Sequence, residues 1–159
     1  MLPEAIAIAL GLCLAASSSL GVEYTHAHFL PVTRFTLAWT HSRERTRWEE
    51  DYQITSRAGH ASSPLLRLIE SRVKGSGAGV DPGPTARLEN GWYRDRPQRA
   101  PLTELFLSRS EHAADYELCI GDTGEQADDR CRPLADFLPK SGFDEAAQSV
   151  RLRPCRLGH

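Results

Sequence analysis

The chain lacks a charge imbalance: 19 Lys and Arg stand against 21 Asp and Glu, a formal −2 over 159 residues. With no excess of either sign there is no electrostatic footprint for nucleic acid or an anionic membrane surface, and both partner classes are set aside. Sustained apolar spacing at i, i+3, i+4 and i+7 is missing after residue 30, which argues against a helical bundle. No G-x-S-x-G elbow or C-x-x-C pair occurs, and the glycine-rich stretch runs into Asp81-Pro82-Gly83-Pro84, where no helix of a dinucleotide site can start. What the chain does have is punctuation, ten Pro and twelve Gly. That composition points to many short strands.

One long apolar run is present, from Ala5 to Ala16 in "MLPEAIAIALGLCLAASSSLG", where Glu4 is the only charge. It is shorter than the roughly 20 residues that a bilayer span needs. Residues 1–20 are therefore expected to be an export signal cut after the Ala-Ser region, with an uncleaved N-terminal anchor as the alternative. Residues 21–159 then form one domain, expected in an oxidising compartment. Leu12 before Cys13 argues against lipid attachment there. Removal of the signal leaves Cys119, Cys131 and Cys155, one disulfide and one spare thiol. Closure of Cys119 onto Cys131 would be worth about 3 kcal/mol in the chain-entropy model, whereas Cys131 with Cys155 would tie down the tail. Spacing does not choose between them.

The clearest strand is Arg34 to Ser42, with Phe35, Leu37, Trp39 and His41 on one face. After "RERTR", the segment "WEEDYQIT" puts Trp48, Glu50, Tyr52 and Ile54 on one face and Glu49, Asp51 and Gln53 on the other. A two-residue turn through Arg45 and Thr46 sets His41 opposite Glu50; a register two residues away sets His41 opposite Trp48 and Glu50 diagonal to it. Upstream, "EYTHAHFLP" reads as a lead-in or edge strand. Downstream, Leu65 to Val73 is a strand whose alternation favours neither face, and Asn90-Gly91 in "TARLENGWYRD" marks a type I′ hairpin. Leu102 to Ser108 and Asp115 to Ile120 complete the strands, followed by a short helical turn at 143–149 and a basic tail, "RLRPCRLGH". The fold class is all-β, a small antiparallel sandwich or barrel of about seven strands.

Chemistry concentrates at His41, Ser42, Glu44 and Glu50. A histidine meeting a carboxylate under aromatic cover can satisfy itself, bind a small carboxylate, or hold a metal ion, for which His41 and Glu50 are the candidate ligands. A hydrolase with His41 as general base is the enzymatic alternative, but His41 and Ser42 point to opposite faces of an extended strand. In "GSGAGVDPGP", the amides around Gly77, Ala78 and Gly79 offer an anion-binding concavity that could complete the pocket. The acidic "GDTGEQADD" has neither the spacing nor the position-twelve Glu of a calcium loop.

On "RFTLAWTHSRERTRWEEDYQI", "LLRLIESRVKGSGAGV" and "LTELFLSRS", from Arg34 to Ser108, the chain resembles a bacterial domain-of-unknown-function family, number eighteen-fifty. Its members are short exported proteins encoded beside TRAP transporter permeases of the TAXI type. By position its motif histidine and serine fall on His41 and Ser42, its acidic residues on Glu44 and Glu50, and its glycine turn on Gly77, Ala78 and Gly79. Arg43 stands where members carry a small apolar residue. The resemblance implies a periplasmic accessory to solute uptake, partnered by the membrane subunit of a TRAP transporter. The expected function is thus a non-enzymatic ligand-binding or accessory module, with a purely structural partner of the permease as a further alternative.

Overall fold

A computed structural model of the chain describes residues 9–17, 28–56, 63–75, 83–110, 112–121, 130–138 and 149–157. These residues form two antiparallel sheets that share one core, as the alternation predicts. The strands are β1 (Ala9–Ser17), β2 (His28–Leu30), β3 (Arg34–Thr40), β4 (Arg47–Thr55), β5 (Leu65–Lys74), β6 (Arg87–Glu89), β7 (Trp92–Asp95), β8 (Leu105–Ser108), β9 (Glu117–Ile120), β10 (Cys131–Pro133) and β11 (Ser149–Leu157), with a 3-10 turn at Leu134–Phe137. One sheet runs β2-β1-β11-β8 and the other β10-β9-β3-β4-β5-β7-β6. Leu12, Leu14, Leu107, Val150 and Leu152 of the first pack with Phe35, Leu37, Tyr52, Ile54, Leu66 and Leu118 of the second.

Both chain ends contribute more than composition suggests. Ala9–Ser17, inside the segment read as a signal, is an interior strand of the four-stranded sheet, in register with β11 over nine residue pairs. Leu12 and Leu14 are fully buried. Gly11 lies beneath the Phe29 ring and the Leu30 carbonyl, so a side chain there would collide with both. The "basic tail" is β11: Val150, Leu152 and Pro154 face inward, while Arg151 and Arg153 alternate with them on the outer face. The expectation of one disulfide and a spare thiol is corrected, because Cys13 pairs with Cys155 and Cys119 with Cys131, leaving no free cysteine. The helical turn expected at 143–149 lies mostly outside the described residues.

β5 explains its own ambiguous pattern. Its register with β4 shifts between Asp51 and Tyr52: Asp51 faces Glu70 while Tyr52 faces Leu68, so Ile69 is an extra, unpaired residue. This bulge inverts the alternation, because one added residue exchanges the two faces of a strand. Leu66 before it and Val73 after it both reach the core, and Glu70 and Arg72 both turn to the back of the sheet. The Asn90-Gly91 turn forms as expected, with φ of 50° and 81° joining β6 to β7.

On the back of the seven-stranded sheet the bulge aligns a buried charge network. The Arg72 guanidinium meets Glu49 at 2.6 Å, Asp51 at 2.6 Å and Glu70 at 3.5 Å. Thr36 Oγ1 donates to Asp51, Arg94 shares Glu70 Oε1 with Arg72, and Arg96 binds Glu70 Oε2. Burial opposes the charge on Arg72, but Asp51 and Glu49 outweigh it and hold the guanidinium above its ordinary range. Removing Arg72 leaves three buried carboxylates without the cation they share. Arg72→Met is therefore expected to lower unfolding free energy by about 3–5 kcal/mol, read from urea midpoints at unchanged m-value.

Candidate functional site

The β3–β4 hairpin sets the geometry. Leu37 pairs with Glu50, Trp39 with Trp48 and Thr40 with Arg47. The expected registers are thus corrected: His41 faces neither Glu50 nor Trp48. β3 ends at Thr40, two residues before the expected Ser42. The His41 amide donates to the Thr46 carbonyl at 2.9 Å, and the Arg45 amide returns to the His41 carbonyl at 2.8 Å. Ser42 to Arg45 form a four-residue loop, closed by Arg45 at φ 52°. The physical reason lies in the turn chemistry. A two-residue type I′ turn through Arg45 and Thr46 requires positive φ at both, which β-branched Thr46 resists, whereas the longer loop asks it of Arg45 alone.

The alternation itself holds: His41 keeps the parity of Trp39, and Glu50 that of Trp48 and Tyr52. Four residues of strand separate His41 from the Leu37–Glu50 pair, about 13 Å at the usual rise. No hydrogen bond or ion pair joins His41 and Glu50 among the described residues. Glu50 instead accepts from the Tyr52 hydroxyl at 2.6 Å. Burial, reinforced by the Glu50 carboxylate, pushes the Tyr52 hydroxyl well above its ordinary value, with Arg99 pulling slightly back. Tyr116 is raised by burial first, then by Glu50 and Asp115.

His41 answers to its own loop. Its Nδ1 accepts the Glu44 amide at 3.4 Å, so the proton of the neutral ring sits on Nε2, which is left to donate. A general base paired with a carboxylate uses the other arrangement, with Nδ1 donating. Ser42, Arg43, Glu44 and Arg45 are exposed around the loop. Beneath it, on the face His41 shares, two polar atoms are buried without a hydrogen-bond partner among the described residues, Thr46 Oγ1 and Trp48 Nε1. The Trp48 ring stacks on Trp39 at 6.0 Å between centroids, and Trp39 leans on Tyr116 at 6.1 Å. An indole N–H only donates and a threonine hydroxyl can donate, so an acceptor would satisfy both groups.

Of the residues singled out from sequence, His41, Ser42 and Glu44 thus gather at the hairpin end, and Glu50 belongs to a separate tyrosine-lined position. Gly77, Ala78 and Gly79 lie outside the described residues. No group of three or more His, Cys, Asp or Glu converges as metal ligands among the described residues. Neither Thr46 nor Trp48 titrates, so the only signal for them in the residues is the apolar parity of "THSRERTRW" ending in two polar-tipped side chains. Arg47 was also missed. Its guanidinium binds Glu49 at 2.7 Å and Glu117 at 2.5 Å, and its Nη2 lies 3.6 Å from Cys131 Sγ.

A family model described as "Domain of unknown function (DUF1850)" matches residues 35–126, more than half of the chain and past the segments that carry the resemblance. No curated protein and no solved structure matches.

Tyr52 supplies a pH test. Its folded-state value is raised, so the unfolded chain sheds the proton first and stability is lost as pH rises past about 10. Urea midpoints measured at pH 8 and near 10.5 are expected to fall more for the wild type than for Tyr52→Phe, although Tyr52→Phe is the weaker protein at pH 8 by about 1–3 kcal/mol because Glu50 loses its donor.

Proposed function

Because the chain belongs to the DUF1850 family, we propose that it is an exported accessory module of a TRAP-type solute transporter, binding a small carboxylate at the end of the β3–β4 hairpin. The observation that carries the binding reading is the pair of buried donors, Thr46 Oγ1 and Trp48 Nε1, that have no partner among the described residues, on the face of His41. Each costs about 1–3 kcal/mol of desolvation while unmet. A carboxylate accepting from them and from His41 Nε2 removes that cost, and the Ser42 hydroxyl and the Arg43 and Arg45 guanidinium groups lie on the same loop. A metal ion is the poorer occupant, because neither an indole N–H nor an Nε2 that carries the proton offers a lone pair.

Two disulfides support export, since such bonds persist in oxidising compartments. The N-terminal apolar strand belongs, on this reading, to the exported domain rather than to a discarded signal: Leu12, Leu14 and the Cys13 bond to Cys155 are what favour its retention. Among the described residues no helix is long and apolar enough to cross a membrane. The transporter partner rests on the family resemblance alone.

Calorimetric titration of the oxidised full chain with acetate, succinate and glutamate, and with zinc and calcium salts in parallel, is expected to give saturable heat with at least one carboxylate. His41→Ala and Trp48→Phe should each weaken that binding about tenfold, the worth of one hydrogen bond to a charged group. No carboxylate heat, or binding indifferent to both substitutions, would overturn the proposal.

A further inference from the structure

The two disulfides occupy unlike settings. Cys13–Cys155 spans the nine-pair ladder of β1 and β11, in the interior of the four-stranded sheet. Cys119–Cys131 joins β9 to β10, a three-residue edge strand with one neighbour, and the two cysteines face each other directly in register. A short edge strand opens locally at far lower cost than an interior one. Cys119 is 4 % exposed and Cys131 half-buried, so an incoming reagent meets Cys131. Arg47 Nη2 stands 3.6 Å from that same sulfur, held there by Glu49 and Glu117.

We propose that Cys119–Cys131 is a thiol–disulfide exchange site whose co-substrate is a dithiol, with Arg47 as the residue that positions and polarises it. The thiolate of the dithiol attacks Cys131 Sγ; the Cys119–Cys131 bond breaks, a mixed disulfide forms at Cys131, and Cys119 leaves as a thiolate that takes up a proton. The second thiolate of the dithiol then attacks its own mixed-disulfide sulfur and releases Cys131 as a thiolate beside Arg47. Two electrons pass from the dithiol, now a disulfide, to the pair of cysteines. A guanidinium at this sulfur favours both steps, since it attracts the anionic nucleophile and lowers the basicity of the departing thiolate. Cys13–Cys155 serves as the permanent staple and stays oxidised. This site is independent of carboxylate binding at the hairpin end.

The test is timed reduction of the oxidised full chain by dithiothreitol under native conditions, with alkylation and peptide mass measurement at each cysteine. Cys119 and Cys131 should become fully alkylated while Cys13 and Cys155 remain joined. Arg47→Met should slow that opening roughly three- to tenfold and Arg47→Lys, which keeps the charge, much less. Opening of Cys13–Cys155 first or at the same rate would overturn the proposal, as would wild-type speed in a folded Arg47→Met. The order of opening is read on the unaltered chain, so it decides the matter even where Arg47→Met fails to fold.

Discussion

Arg72 is the group around which the large sheet is organised. A guanidinium buried on the back of a sheet is tolerable only when carboxylates meet it from several directions, and here Glu49 and Asp51 come from the neighbouring strand and Glu70 from its own. That arrangement depends on the bulge at Ile69. Without the extra residue, a strand that sends Leu66 and Leu68 to the core would send Glu70 and Arg72 after them. The bulge lets the apolar and charged halves of β5 each find its own side. From Arg72 the network continues through Glu49 to Arg47, and Arg47 ties the loop end of the hairpin to Glu117 and the Cys119–Cys131 edge.

Much of this was legible in the residues, for identifiable reasons. Strict alternation in "RFTLAWT" and "WEEDYQIT" specifies two half-buried strands, and Asn90-Gly91 specifies its turn, because only those φ values join the arms. The faces were legible too: His41 and Glu50 do share a parity. Register was not, since face assignments survive any shift by two residues and only the loop chemistry of Arg45 and Thr46 separates the options. Nor was β5, where period-two counting fails across a bulge. The pairing of β1 with β11 was not legible, for a common reason at both ends. An apolar run rich in Ala and Ser reads as an export signal and a run rich in Arg reads as a tail, and only their mutual pairing shows β1 and β11 to be partners.

Separating His41 from Glu50 changes what the hairpin can do. Glu50 is satisfied by Tyr52 and belongs to the aromatic end of the core. His41 belongs to the loop, with Nδ1 turned to the Glu44 amide and, on its face, two donors unmet among the described residues. A self-satisfied His–Glu pair would have closed the site; donors that meet no acceptor among the described residues are what the carboxylate proposal rests on. Rigid support comes from behind, where Arg47 anchors the first residue of β4 to its neighbours.

The account turns on His41 obeying its loop rather than Glu50, and nitrogen-detected NMR of the imidazole measures that directly. It predicts a neutral ring protonated at Nε2 with Nδ1 as acceptor, signals that Glu50→Gln leaves in place, and a shift at Nε2 when a bound carboxylate is titrated in. A ring protonated at Nδ1, or imidazole signals that move with Glu50→Gln, would contradict it.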